Sequence, residues 1–337
     1  MKYIRIVSVA LFIIIGLILL YILNIILLPE WVTNEGATLS TRGIYEEEKN
    51  SLDVVFVGSS NIYNGISPLE IWEETGIPSY SYGSPEQKIW LSYYAIKEVL
   101  AYQKPKIIML DVNEAFSNDY LEEDNIRKLL DNMKFGKAKL EAINDKMLNY
   151  DSELSYIFPI IRYHTRWNSL TKKDFQRLFL DYKSTYKGYV LSKQVTPFEG
   201  NTNYLEYTEK TDQIQEVSKK YLDKIVELCQ EKGTELILID MPSPHSWTYP
   251  RHKAISDYAE SKEVEFLELN CVDEIGIDWS KDTPDGGWHL NVNGASKVSK
   301  YIAKYLQENY NLTDYRESPN YSEWNNDLEK YLKDKEN

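Results

Sequence analysis

The chain has 337 residues and a formal net charge of −14, from 38 lysines and arginines against 52 aspartates and glutamates. This acidic surplus argues against nucleic acid as a partner, because binding phosphates takes a basic face. A hydrophobic content of 43% with 13% aromatic residues excludes a largely disordered chain and indicates a folded core.

The first predicted element is an almost unbroken apolar stretch from Ile6 to Leu28. As a helix it would extend roughly 34 Å, which is enough to cross a bilayer core. Lys2 and Arg5 precede it and acidic residues follow it, so the positive-inside rule places the N-terminus in the cytoplasm and the rest outside. A cleaved signal peptide is the alternative, but its apolar region would be shorter. We therefore expect residues 1–30 to be an uncleaved, single-pass anchor in the cell membrane.

Residues 31–50 are polar and mixed, and we expect them to form a membrane-proximal linker. From residue 51 to residue 307, strand and helix patterns alternate, which predicts an α/β domain with helices on both faces of a sheet. The predicted strands are Val54–Val57, Pro78–Tyr82, Lys106–Asp111, Glu235–Asp240 and Glu265–Leu269. The predicted helices are Pro68–Glu74, Gln87–Tyr102, Gln213–Lys232, His252–Ser261 and Asn293–Leu306.

The alternation stops between residues 116 and 207, where charges and aromatic residues are frequent and strand signals are few. We expect a largely helical insertion over the sheet edge. Residues 308–337 are acidic and polar, which predicts a peripheral or partly disordered tail. The predicted fold is therefore a flavodoxin-like, three-layer α/β/α domain with a mainly parallel five-stranded sheet, a helical insertion and an N-terminal transmembrane helix.

The first strand ends abruptly in Gly58-Ser59-Ser60. In an open α/β sheet, ligands bind outside the carboxyl ends of the strands. A serine at that edge, entered through a glycine that lets the backbone turn sharply, is well placed to be a nucleophile. A turn of small residues without any chemistry is the alternative. The two differ in whether the chain supplies a base for the serine, since a serine hydroxyl is a weak nucleophile without one.

Four histidines are available as that base, and His289 has the most suggestive surroundings. It lies in Asp-Gly-Gly-Trp-His-Leu-Asn, on a glycine-rich loop between the fifth strand and the last helix, so it should return to the edge where the first strand ends. Asp285 and Asp282 are both near enough in sequence to orient its imidazole. His164 is expected to pack or cap, and His252 to be solvated near the start of a helix. His245 is expected in an exposed loop, although it could line the same edge.

These residues also carry a family resemblance. The run Val-Phe-Val-Gly-Ser-Ser near the start of the domain, with Asp285 and His289-Leu-Asn-Val-Asn-Gly-Ala near its end, resembles the SGNH (GDSL-like) hydrolase superfamily. The nearest likeness is to its membrane-anchored envelope members, akin to the teichoic-acid D-alanylation and alginate O-acetylation families. The resemblance covers about residues 50–113 and 211–307 and not the insertion.

The resemblance implies a role for each matching position. Ser60 corresponds to the nucleophile and, through its N–H, to one donor of the oxyanion hole. Gly83 corresponds to a second donor through its N–H, and Asn113 to a third through its side chain. His289 corresponds to the general base and Asp285 to its orienting acid.

Three features depart from the family pattern. The aspartate stands one residue further from the histidine than in the usual Asp-x-x-His, because residue 286 is glycine. Asn113 lies in Asp-Val-Asn-Glu rather than in Gly-x-Asn-Asp, and Tyr82 occupies the neighbourhood where an asparagine is common. The departures bear on the oxyanion donors more than on Ser60 and His289.

Together these features predict a membrane-anchored, extracytoplasmic serine esterase or O-acyltransferase that acts on a cell-envelope polysaccharide or a teichoic-acid-like polymer through a Ser-His-Asp acyl-enzyme. The resemblance also implies partnership with a membrane-bound O-acyltransferase. No cofactor or metal is expected, since the sequence has no His-Glu-x-x-His and no glycine-rich nucleotide loop after the first strand. A non-catalytic domain that binds or scaffolds an envelope polymer and a lipid-directed esterase are the alternatives.

Overall fold

The computed structural model describes residues 2–33, 35–148, 153–179 and 183–337. Within these residues a five-stranded sheet runs in the order β2-β1-β3-β4-β5, and every pair of neighbouring strands is parallel. The strands are β1 Val54–Gly58, β2 Ser79–Gly83, β3 Ile107–Asp111, β4 Glu235–Ile239 and β5 Glu265–Leu267. This order confirms the predicted flavodoxin-like arrangement. All five carboxyl ends therefore lie along one edge of the sheet.

Both faces of the sheet are covered by helices, which explains why the inner strands β1 and β3 are nearly continuous apolar runs. In β1, Val55 and Val57 pack on one face and Val54 and Phe56 on the other, and all four are fully buried. The first face carries α5 Ile89–Tyr102, α11 Glu216–Lys232 and α12 Tyr249–Lys262, and the second carries α3 Ser60–Gly65, α4 Pro68–Thr75 and α13 Val292–Asn309.

The N-terminal helix, α1 Lys2–Ile26, includes the 24 residues Tyr3–Ile26, which are long and apolar enough to cross a membrane. The segment after it is not a free linker. A short helix, α2 Glu35–Arg42, packs near β2, and Ser40, Thr41 and Ile44 are buried. Within the predicted membrane-proximal linker at 31–50, small and apolar side chains therefore fill space at the sheet edge.

The insertion consists of two structurally different parts. Its helices are α6 Glu123–Leu130, α7 Lys137–Ile143, α8 Glu153–Ile157, α9 Pro159–Tyr163 and α10 Lys172–Gln176, with 3-10 turns at His164–Ser169 and Arg177–Phe179. Residues 183–215 contain no helix or strand. Residues 187–198 of this second part, here termed the crossing segment, hydrogen-bond through their backbone to Ser81, Tyr63, Thr283 and Trp279. The crossing segment thus runs along the edge where the strands end.

The acidic C-terminal residues also form part of the folded domain. Helix α14 Ser322–Glu336 buries Trp324 against Trp72, with ring centroids 5.0 Å apart, and buries Tyr331 completely. The fully buried Lys187 lies 2.8 Å from Asp327 of α14 and 3.1 Å from Glu47 of the N-terminal segment. The segment predicted to be a peripheral or partly disordered tail is therefore docked in the described structure by a few buried side chains of a polar helix.

Candidate active site

The end of β1 places Ser60 at the carboxyl edge of the sheet. A Cβ on Gly58 would come within 2.7 Å of Asp111 and Ile62, so only glycine fits where the chain leaves the strand. Ser59 is the N-cap of α3, with its side chain accepting a hydrogen bond from the Asn61 N–H at 3.4 Å. Ser60 is then the first residue of the helix and is half-buried. The two adjacent serines therefore have different surroundings.

The loop before α13 brings His289 to Ser60. His289 Nε2 lies 2.8 Å from Ser60 Oγ, and His289 Nδ1 lies 2.5 Å from Asp285 Oδ2. Because an ionised carboxylate only accepts hydrogen bonds, Nδ1 carries the proton and Nε2 is the acceptor for the serine hydroxyl. The side chains of Ser60, His289 and Asp285 thus form a continuous hydrogen-bonded chain, here termed the Ser-His-Asp chain. Its order is the one that activates a serine nucleophile.

Two glycines let the loop fold back over four residues. Gly286 and Gly287 have φ values of 74° and 96°, a region that other residues rarely adopt. The fold-back lets Asp285 bind His289 twice, since its Oδ1 accepts the His289 backbone N–H at 2.9 Å. Thr283 stabilises the same loop, because its Oγ1 accepts a hydrogen bond from the Gly287 N–H at 2.7 Å.

The charge of Asp285 is maintained by these bonds. Partial burial alone would raise the pKa of Asp285, but the hydrogen bonds from the His289 ring and backbone outweigh it and hold the pKa below its ordinary value. Asp282, the other candidate, is buried and accepts hydrogen bonds from the Asp278 N–H at 2.7 Å and from Lys297 Nζ at 2.6 Å. Asp285 rather than Asp282 therefore contacts the imidazole.

Two of the three predicted oxyanion donors are engaged elsewhere. The Gly83 N–H donates to Ser40 Oγ at 2.9 Å. The Asn113 amide uses both of its hydrogens, one on the Met241 carbonyl at 2.8 Å and one on Ser246 Oγ at 2.9 Å. Neither donor is free to bind an oxyanion without exchanging these bonds, so both assignments stay predictions. Ser60 opens a helix, where N–H groups of the first turn lack intrahelical acceptors, and its role as a donor also stays a prediction.

Sequence reasoning missed Tyr63, whose hydroxyl hydrogen-bonds the Ser60 side chain. Burial raises the pKa of Tyr63, an effect that this bond partly opposes, so the hydroxyl stays protonated and acts as a neutral partner. Its position three residues after Ser60 on a helix was a readable signal, because such residues lie on the same face. The Tyr63 carbonyl accepts the Val190 N–H of the crossing segment at 2.7 Å.

The residue next to His289 in sequence belongs to an exposed pair of stacked aromatic rings, Trp288 on His245, here termed the aromatic pair. Trp288, the residue before His289, is 55% exposed and stacks on His245 with ring centroids 4.2 Å apart and an angle of 12°. His245 in turn meets the edge of Phe198 at 5.2 Å and hydrogen-bonds the Gly286 carbonyl through Nε2 at 2.9 Å. His245 therefore supports the loop, in line with the expectation that it could line this edge.

The remaining histidines take no part in this chain. His164 is exposed and its Nδ1 lies 3.0 Å from the Ile161 carbonyl. His252, Glu268 and Cys271 bring their donor atoms within 4.8 Å of one another, which is compatible with a metal ion. Burial, with the nearby Asp240 and Glu268, raises the pKa of the Cys271 thiol to about 12, so the thiol is a neutral group hydrogen-bonded to Glu268.

Comparisons with known proteins add little to this geometry. No protein-family model matches the chain, and no curated protein matches it. Among solved structures, the chain is similar to a protein of Bacteroides fragilis NCTC 9343 described as a "putative acylhydrolase", at 13% sequence identity and a TM-score of 0.38, over 83% of this chain and 99% of the other. A TM-score this low carries no argument, so the case for function rests on the residues themselves.

Proposed function

We propose that this chain is a membrane-anchored serine esterase or O-acyltransferase of the SGNH type, acting through an acyl-enzyme on Ser60. The observation that carries the proposal is the Ser-His-Asp chain, in which the serine, imidazole and carboxylate are joined by hydrogen bonds of 2.8 and 2.5 Å. The family resemblance of the two end motifs agrees with it. A turn of small residues without chemistry would not require a histidine and an aspartate in this order.

The proposed reaction has two halves. His289 Nε2 takes the hydroxyl proton while Ser60 Oγ attacks the ester carbonyl, and the tetrahedral intermediate collapses as the leaving alcohol takes that proton from the imidazolium. Asp285 holds the imidazole in the required tautomer and stabilises its positive charge. Water or a sugar hydroxyl then attacks the acyl-enzyme with the same proton transfers, giving hydrolysis or acyl transfer. The Ser60 N–H, with Gly83 and Asn113 after rearrangement, would bind the oxyanion.

The proposed location is the outer face of the cell membrane. Helix α1 is long and apolar enough to span, and the basic residues Lys2 and Arg5 at its start favour a cytoplasmic N-terminus. An extracytoplasmic domain would meet cell-envelope polysaccharide or a teichoic-acid-like polymer. The family resemblance further suggests that a membrane-bound O-acyltransferase supplies the acyl group.

The direct test is mass spectrometry of the full-length protein incubated with candidate acyl donors. We expect an added acyl mass on the peptide that contains Ser60, because the acyl-enzyme is a covalent ester of that side chain. The mass would also identify the acyl group. If no acyl donor modifies Ser60 and a fluorophosphonate also fails to label it in folded protein, a non-catalytic scaffold would replace the enzyme as the conclusion.

The aromatic pair of Trp288 and His245 favours a glycan substrate over a lipid. A flat, exposed indole held by stacking is suited to the apolar face of a sugar ring, whereas a lipid chain would call for an enclosed apolar groove. We expect Trp288→Ala to raise KM for an O-acetylated glycan by about 5–30-fold, from a loss of about 1–2 kcal/mol of apolar contact.

The control for this substitution is a small ester, p-nitrophenyl acetate, which does not reach beyond the reacting atoms. Its kcat/KM should change by less than about threefold in Trp288→Ala, and Trp288→Phe should retain most of the affinity for the glycan. An equal loss on both esters would assign Trp288 to the structure of the loop and not to the substrate. Release of fatty acid from lipid instead of acetate from glycan would establish the lipid-directed esterase.

A further inference from the structure

The helical part of the insertion encloses the C-terminal end of α1. Arg166 donates a hydrogen bond to the Leu27 carbonyl at 2.9 Å, and both Arg166 and Arg177 donate to the Leu28 carbonyl. These carbonyls belong to the turn that directly follows α1, so the two guanidinium groups hold the chain where it leaves the helix. The Ile160 N–H also donates to the Asn24 side chain of α1 at 3.0 Å.

Apolar packing reinforces these bonds. Val32 and the residues from Ile26 to Leu28 form a buried cluster with Tyr163, and partly buried residues of the insertion complete it. The 24-residue span Tyr3–Ile26 of α1 would extend about 36 Å, against a hydrocarbon core of about 30 Å. If α1 crosses the membrane, its last turn lies at the outer interface, and so does the insertion that packs on it.

The same insertion carries large apolar side chains that are exposed in the described structure. They are Phe158, Ile161, Trp167, Phe175 and Phe179, here termed the apolar rim. Trp167 is 69% exposed and Phe179 is 88% exposed. Scattered single residues of this kind are ordinary. Here five lie within 22 residues, in the same segment that binds the end of α1, and such a cluster marks an interaction surface.

The charge of this segment is opposite to that of the rest of the chain. Residues 157–179 contain five basic residues and one acidic residue, whereas the whole chain has a net charge of −14. Lys172 and Lys173 are exposed beside the rim. Aromatic side chains together with lysines and arginines are typical of segments that lie in the headgroup region of a bilayer with anionic lipids.

We propose that the apolar rim inserts into the outer leaflet of the membrane that α1 crosses, so that the insertion is a second, interfacial membrane contact. This inference rests on the proposed membrane span of α1. The domain is then held at one height and one orientation, since Ser40, Thr41 and Ile44 in the segment after α1 are buried against it. The reaction it serves is confined to acyl donors and acceptors that reach the membrane surface.

The experiment uses the full-length protein, with Cys229→Ala and Cys271→Ser, in vesicles of phosphatidylcholine and phosphatidylglycerol. A single cysteine carrying the fluorophore NBD replaces Phe179 of the rim, Phe12 of α1 or Tyr207, an aromatic residue outside the rim that is 71% exposed. All three side chains are exposed, so the substitutions leave the core intact. Lipids with a nitroxide on the acyl chain quench only fluorophores that contact the bilayer.

We expect strong quenching at Phe12 and at Phe179, and several-fold weaker quenching at Tyr207. Quenching at Phe12 with none at Phe179, or equal quenching at Phe179 and Tyr207, would overturn the proposed insertion of the apolar rim. It would leave the membrane span of α1 in place. Absence of quenching at Phe12 would overturn the membrane span and the rim together. A Phe179 label that is shielded in native membranes but unquenched in pure lipid would replace the lipid by a membrane protein as the occupant, which also overturns the proposal.

Discussion

Ser60→Ala is expected to lower turnover by a factor on the order of 10⁴–10⁶, since removing a serine nucleophile leaves only binding and oxyanion stabilisation. The neighbouring residue provides a matched control. Ser59 is buried, caps α3 and lies 3.4 Å from Asp111, and no hydrogen bond joins it to His289 in the described structure. Ser59→Ala should therefore keep turnover within a few-fold of the original.

The effects on stability should be the reverse of those on turnover: Ser59→Ala should be the destabilised variant and Ser60→Ala the stable one. Loss of the N-cap in Ser59→Ala should lower the free energy of unfolding by about 1 kcal/mol, whereas Ser60→Ala should change it little. Turnover on p-nitrophenyl acetate and urea unfolding of the same preparations give both quantities. If Ser59→Ala inactivated the protein and Ser60→Ala did not, the assignment of the nucleophile would be wrong.

Lys187→Ala is expected to lower the free energy of unfolding by about 3–5 kcal/mol, because it leaves Glu47 and Asp327 buried without the lysine that forms an ion pair with both. Lys187 is only 1% exposed, and its ammonium also lies 4.4 Å from the Trp324 ring. Burial raises the pKa of Glu47 even with the lysine in place, so the site already has a considerable desolvation cost.

Lys183 provides the control, because it pairs with Glu323, whose side chain is 63% exposed. Lys183→Ala should cost less than about 1 kcal/mol, as surface ion pairs contribute little. Replacing the whole buried cluster by Lys187→Met, Glu47→Gln and Asp327→Asn should recover most of the loss. Urea unfolding followed by tryptophan fluorescence measures all of these variants, and equal effects of Lys187→Ala and Lys183→Ala would contradict the argument.

Much of the sheet could be predicted because β1, β3 and β4 are short, largely apolar runs bounded by turn residues. The strand order is that of a flavodoxin-like sheet, in which the first strand lies between the second and the third, and it brings the end of β1 and the loop before α13 to one edge. The approach of His289 to Ser60 is a consequence of this topology. The choice between Asp285 and Asp282 needed the backbone of Gly286 and Gly287, which sequence spacing alone does not give.

The features that sequence reasoning missed depend on contacts between distant segments. Helix α14 is polar in composition, and only Trp324, Asp327 and Tyr331 are buried along it. The partners of Gly83 and Asn113 come from α2 and from the loop after β4, so no local pattern reveals that these donors are engaged. The crossing segment has neither helix nor strand and is held by backbone bonds, which leave no periodicity to read.

The buried cluster around Lys187 has a consequence for the order of events during synthesis. Its three charges are separated by 140 residues in each direction, and the last of them emerges from the ribosome only when almost all of the chain described here has been made. Until Asp327 arrives, Glu47 and Lys187 lack their third partner and Trp72 lacks its cover. A nascent chain that has already formed the sheet would therefore still lack these contacts until α14 is made. Docking of α14, more than formation of the sheet, would be the step that commits this domain to its folded state.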